Sequence, residues 1–268
     1  MVGVKRTLFF AAVAAIVGVG AASAADMAVK ARPVAVEPGY NWSGWYVGLN
    51  GGGAWDNSTG HLDTFSSDFV GPVAAGVVPT NLGAKHEGGF GGGQVGYNWQ
   101  RDRWVFGLET DFQGADIGRT NTIFFPGDGL FVPTVTTARD HIDWFGTVRG
   151  RIGWAANNVL LYGTGGFAYG DVNSSVRVLG TPPTTGNFAG NVTDTRFGWA
   201  AGAGVEWGIT PNWTVKGEYL HIDLGSSNVT MTDPQFPLGS ATYRFHHEMD
   251  TVRAGVNYKW GGPVVARY

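Results

Sequence analysis

The chain has 268 residues, a formal net charge of −3, 44 glycines and no cysteine, and only 15% of its residues are charged, against about a quarter in soluble domains. The lack of cysteine removes disulfide staples, thiolate metal sites and thiol catalysis. A nearly balanced charge, with no basic run after the first residues, leaves no electrostatic footprint for nucleic acid, so none is expected as a partner.

Lys5 and Arg6 precede an apolar run from Leu8 to Val19, and Ala22-Ser23-Ala24 follows. This order predicts a secretory signal peptide over residues 1–24, since the apolar run is shorter than the ~20 residues a spanning helix requires. Residues 25–43 read as a periplasmic linker. From there apolar side chains recur at every second position, the period of a strand.

The first segment sets Trp45, Val47 and Leu49 against Tyr46, Gly48 and Asn50. The second sets Val95, Tyr97 and Trp99 against Phe90, Gln94 and Asn98. In the third, Trp104, Phe106, Leu108 and Phe112 oppose Glu109, Asp111 and Gln113. The fourth opposes Ile142, Trp144, Val148, Ile152 and Trp154 to Asp143, Thr147, Arg149 and Arg151, with Phe145 out of step. The fifth, Val159 to Asp171, is glycine-rich and reads in either register, Leu161, Phe167 and Tyr169 being the preferred outward set. The sixth sets Phe197, Trp199, Val205 and Trp207 against Arg196 and Glu206. The seventh sets Trp213, Val215 and Tyr219 against Thr214, Lys216 and Glu218, and the eighth Val252, Val256, Tyr258 and Trp260 against Arg253, Gly255, Asn257 and Lys259.

The connections alternate: long near 56–87, 118–138, 172–194 and 225–243, short near 100–103, 155–158 and 208–212, with most prolines in the long ones. Tight periplasmic turns and longer external loops mark an outer-membrane barrel. In hydrocarbon only helices and closed barrels satisfy every backbone polar group, and no helical period is evident. Trp99, Trp104, Trp154, Trp207 and Trp213 flank the short turns, where an aromatic girdle would meet the membrane interface. The competing fold, a soluble sandwich or lipocalin-like barrel, would have to bury the charged face or turn its tryptophans to water. The expected fold is therefore all-β: an eight-stranded antiparallel transmembrane β-barrel over residues 44–260, with a tail at 261–268. Its lumen is expected to hold a charge network of Glu109, Asp111, Asp143, Arg149, Arg151, Arg196, Glu206, Lys216, Glu218 and Arg253.

Three stretches carry a family resemblance: Asn41-Trp42-Ser43-Gly44-Trp45-Tyr46-Val47-Gly48, Leu161 to Gly170, and Arg253-Ala254-Gly255-Val256-Asn257-Tyr258-Lys259-Trp260. Together they resemble the RopB-type family of small alphaproteobacterial outer-membrane proteins, often labelled porin-family or hemin-binding. The resemblance implies a barrel similar to the transmembrane domain of OmpA in the outer membrane of a Gram-negative bacterium, with roles in envelope integrity, surface antigenicity and, in some members, heme binding. It implies no enzyme. The last stretch is similar to the signal read by the outer-membrane assembly machinery, with Gly255, Tyr258 and Trp260 at its key positions, although Gly261 to Tyr268 follow where such signals usually close the chain.

Gly91-Gly92-Gly93-Gln94-Val95-Gly96 matches a dinucleotide fingerprint only formally, because no helix is expected after it. No hydrolase motif occurs. His61, His86, His141, His221, His246 and His247 are the candidate ligands for a heme or metal, and the adjacent pair His246 and His247 would point to opposite faces of a strand. No metal site is expected, and no cofactor other than heme. The leading expectation is a structural protein embedded in lipid and lipopolysaccharide, acting through four long external loops. The alternatives are a small porin or a heme-binding surface protein.

Overall fold

The structure, a computed structural model, describes residues 40–56, 60–83, 86–181 and 186–260. The expected signal peptide, the linker up to residue 39 and the tail lie outside the described residues. The described chain lies within one compact unit, Pro38–Tyr268.

Alternating side chains and small turns build long antiparallel strands: β1 (Gly44–Asp56), β2 (Gly60–Phe65), β3 (His86–Arg101), β4 (Trp104–Phe125), β5 (Thr134–Ala156), β6 (Val159–Gly180), β7 (Asn187–Gly208), β8 (Trp213–Asp233) and β9 (Phe236–Lys259). Each pairs with its successor from β3 to β9, β1 pairs with β3, and β1 also pairs with β9, which closes an eight-membered ring. At two of the tight turns the backbone enters the left-handed region at Asp102 (φ 56°) and Asn157 (φ 54°), a conformation that Asp and Asn tolerate.

β2 stands outside the ring. β1 stops at Asp56 while β9 continues outward, so β2 pairs with the upper edge of β9 (Gly60 opposite Phe245). A 3-10 turn (Ser67–Phe69) and the short helix α1 (Val70–Ala74) follow it, the one helical departure from the all-strand reading among the described residues.

Three of the connections read as long loops prove to be ladders. β4 and β5 stay paired to Phe125 opposite Thr134, β6 and β7 to Leu179 opposite Asn187, and β8 and β9 to Asp233 opposite Phe236. Strands of 21–24 residues are about twice the ~9–11 that span a bilayer. The barrel wall therefore continues beyond the membrane as a paired extension.

The solvent boundary is written on the outer face. A lower belt holds Trp45, Tyr97, Trp99, Trp104, Trp154, Trp213, Tyr258 and Trp260, with Trp104 edge-on to Trp154 at 5.2 Å. An upper belt, not anticipated from the sequence, runs Phe112, Trp144, Tyr169, Phe167, Phe197 around the barrel with neighbouring ring centroids 5.5–6.2 Å apart. From Trp154 to Trp144 the strand rises about 33 Å along its axis, or roughly 25 Å along the barrel axis at a tilt near 40°, the height of an outer-membrane apolar band. Above the upper belt the outward residues become Arg139, Asp143, Arg177, Thr193, Thr195, Asn228, Thr230 and Arg244. At the same level the inward face turns apolar. Ile142, Phe145, Val172, Leu220, Ile222, Leu224 and Met249 are all buried there.

In the fifth segment Leu160 is fully buried and Leu161 and Phe167 are exposed, which settles its facing.

Val148 is half exposed between the two belts, whereas Thr193 is exposed on the same outer face above them. Val148→Arg is expected to lower unfolding stability in lipid by about 2–4 kcal/mol, and Thr193→Arg by less than about 0.5 kcal/mol. Urea titrations in phospholipid vesicles check this, and equal midpoints for the two variants would contradict the placement of the membrane.

Candidate functional site

The barrel interior is a stack of layers from the turn end to the outer tip. At the bottom, residues 40–43, the end of the segment read as a linker, turn into the barrel mouth. Trp42 is 1% exposed and packs with Leu160, Tyr162 and Tyr40, and its backbone N–H donates to Gln100 Oε1 at 2.7 Å. The Lys259 ammonium lies 4.5 Å from the centre of the Tyr40 ring and donates to the Asn41 carbonyl. Burial, with a smaller contribution from Glu206, pushes the Tyr40 phenol up to about 12.

Above this cap sits the charge layer. Alternation aims Glu109, Asp111, Arg149, Arg151, Glu206, Lys216, Glu218 and Arg253 inward, and all are at most 5% exposed. Register sets six of them in three pairs across neighbouring strands: Glu109 with Arg149, Glu206 with Lys216, and Glu218 with Arg253. Arg149 is the hub, with contacts of 2.6 Å to Glu109, 2.8 Å to Asp111 and 3.1 Å to Glu218, while its Nε donates to Thr147 Oγ1 at 2.8 Å. Arg253 reaches Asp111 at 3.1 Å and also pairs with Glu218. Lys216 meets Glu109 at 3.0 Å, and Arg151 crosses the lumen to Glu206 at 2.6 Å. These four carboxylates and four cations balance.

Neutral groups complete the layer. The Tyr46 hydroxyl donates to Glu109 at 2.8 Å and accepts from Arg151 at 3.2 Å. The Tyr162 hydroxyl donates to Glu218 at 2.7 Å. Asn257 donates to Glu206 at 2.9 Å and accepts from Gln94, which accepts from Asn50. Glycine makes room for this crowding, since a Cβ at Gly96 would come within 2.3 Å of the Tyr46 hydroxyl. Tyr46 was visible in the sequence as an inward aromatic, but nothing there marked its partners.

Two residues expected in the network lie elsewhere. A bulge between Ile142 and Trp144 reverses the facing of β5, so Ile142 turns inward and Asp143 stands exposed on the outer face. There Asp143 pairs with His141 at 3.1 Å and accepts from Asn173 at 2.6 Å. Phe145, below the bulge, keeps the inward parity of Thr147, Arg149 and Arg151 and is 1% exposed where the lumen turns apolar. Arg196 lies ten residues before Glu206 on β7, about 33 Å up the strand. The β7–β8 ladder is interrupted there between Ala189 and Trp199, and Arg196 donates to the Ser226 carbonyl at 2.9 Å and faces Asp194 at 3.4 Å.

Above the charge layer come the apolar group around Leu220, Ile222 and Phe145, then a polar tier, then a second apolar group of Phe69, Val78, Val229, Met231, Tyr243 and Phe245. The Tyr243 hydroxyl donates to the Pro79 carbonyl at 2.6 Å, and burial raises that phenol well above its usual range. In the polar tier Ser227 Oγ lies 2.8 Å from His247 Nε2, His247 Nδ1 lies 3.3 Å from Asp140, and Ser174 donates to Asp140 at 2.7 Å. Serine, histidine and aspartate thus follow the order of a nucleophile, its base and an orienting acid. All three are at most 3% exposed between two apolar layers, where their mutual hydrogen bonds satisfy buried polar groups. Of the other histidines, His221 pairs with Asp250 at 2.9 Å and packs on Trp199. Among the described residues, no group of three or more His, Asp and Glu is placed to hold a metal.

The family model described as "Outer membrane protein beta-barrel domain" matches residues 11–259. The chain is 36% identical over 261 residues to the 31 kDa outer-membrane immunogenic protein of Brucella melitensis, covering 95% of this chain and 100% of that protein. It is 33% identical to the 22 kDa outer membrane protein of Rhizobium leguminosarum, with 86% and 83% covered. The crystal structure of OprG from Pseudomonas aeruginosa aligns with a TM-score of 0.42 at 12% identity, over 82% of this chain and 97% of that one.

Arg149→Met leaves the charge layer one cation short and is expected to lower unfolding stability by about 3–5 kcal/mol. Arg149→Met combined with Asp111→Leu restores the balance and is expected to cost less than Arg149→Met alone. A double-mutant cycle in vesicles measures the difference, and strictly additive costs would contradict the coupling.

Proposed function

The chain belongs to the outer membrane protein β-barrel domain family and resides in the outer membrane of a Gram-negative bacterium, and from this premise we propose that it is a structural surface protein, not an enzyme. It anchors in lipid and lipopolysaccharide, supports envelope integrity and holds a rigid antigenic platform above the membrane. The observation that carries this reading is the continuous filling of the barrel, from Trp42 through the charge layer to Phe69. A conducting pore needs a water path along the axis, and an eight-stranded ring is only just wide enough for its own side chains. The paired upper ladders add support, because they present side chains on a fixed wall in place of mobile loops.

The RopB-type resemblance agrees with this role, and so does the name of the Brucella relative, an immunogenic outer-membrane protein. We assign Gly255, Tyr258 and Trp260 to recognition by the outer-membrane assembly machinery. β9, which carries Gly255 and Tyr258 and ends one residue before Trp260, forms the closing seam with β1, and the Tyr258 and Trp260 rings lie 5.5 Å apart.

Deleting the gene is expected to sensitise cells to detergent and to large antibiotics, with resistance restored by the wild-type copy; unchanged resistance would sink the envelope role. In planar bilayers the refolded chain is expected to leave the conductance at baseline. Discrete openings in most incorporations would replace this reading with that of a porin.

A further inference from the structure

The stack of layers does not fill the outer tip completely. Beneath the segment that carries α1 a cavity of about 350 Å³ remains, within the ~300–1,000 Å³ of small-molecule sites. All four outer ends of the barrel wall it: Phe69 from the first connection, Phe131 from the second, Phe188 from the start of β7 and Phe236 from the start of β9. Phe69 meets Phe188 edge-on at 4.9 Å and Phe188 stacks on Phe236 at 6.0 Å, so three rings make one continuous wall.

Three further observations give the cavity a chemistry. Val77, Val78 and Val178 line it and are at most 7% exposed, so the wall between the rings is aliphatic. Asp68 is the charged residue of the lining and is exposed, which disfavours an anion. Leu130 and Leu238, neighbours in the chain of the lining residues Phe131 and Gly239, are 83% and 81% exposed, and Val70 and the lining residue Phe236 are exposed beside them, an apolar patch well above the membrane.

We propose that this cavity binds a small uncharged molecule with an aromatic or aliphatic body. The phenylalanine wall stacks against the body, and the valines pack its edges. The site is independent of the envelope role, because it lies in the extension and involves neither the charge layer nor the belts.

The test titrates p-cresol into the refolded full-length mature chain carrying ¹³C-labelled valine methyls. Saturable shifts are expected at Val77 and Val178, which line the cavity, while lipid-facing Val148 reports partition into detergent. Val178→Trp should abolish the shifts, and p-toluenesulfonate should bind about tenfold more weakly. Where Val178→Trp lacks the heat-dependent gel shift of a folded barrel, Phe131→Ala is read in its place, with affinity expected to fall about tenfold. Shifts that do not saturate, that are larger at Val148, or that survive both substitutions would overturn the site. Tighter binding of trimethylphenylammonium than of p-cresol would overturn the uncharged class of ligand.

Discussion

No water reaches the hydrocarbon core, so each backbone N–H and C=O at that depth must find its partner inside the protein. The ladder between β1 and β9, from Tyr46 opposite Lys259 to Trp55 opposite Asp250, meets that demand by removing the last free sheet edge. Closure around eight strands then fixes a narrow interior, and a narrow interior leaves space only for side chains that satisfy one another. The charge layer, the glycines that yield to Tyr46 and the plug at Trp42 all follow from that single geometric fact.

A fully buried ion network is a weak source of net stability, because desolvating eight charged groups offsets most of their attraction. Its value here is specific to the solvent outside. The outer face in the membrane must be apolar, so amphipathic strands can carry their polar residues only inward, and balanced pairs satisfy those residues with least cost. Arg149 suits the hub, since its planar fork donates to three carboxylates and to Thr147 at once.

Above the upper belt the same strands meet water, and both faces exchange roles. The wall carries threonine, asparagine and arginine outside while Leu220, Ile222, Met231 and Phe245 pack inside. One continuous sheet is thus a membrane barrel in its lower half and an ordinary water-soluble barrel in its upper half. β2 takes the place where β1 stops short and pairs with the upper edge of β9, which protects that edge.

The period-two alternation determined a great deal by itself: the all-β class, the eight ring strands, the tight turns, and the outward set from Trp45 to Trp260, because a strand in lipid shows its environment residue by residue. Glu109 and Arg149 could be placed on one face, since facing depends only on parity along each strand. Parity fails wherever a strand bulges, which is why Ile142 and Asp143 face opposite to the alternation of the sequence, whereas Phe145 keeps its parity and stood out only as an apolar residue on the polar face. The threonine-rich stretches after Gly118 and Asp171 looked like loops because polar outward residues also suit loops. Only the tertiary structure decided that they pair, which contacts cross the lumen from Arg151 to Glu206 or from Arg253 to Asp111, and that the outer connections enclose a cavity. Those outcomes depend on closure of the ring, a long-range contact that no local pattern encodes.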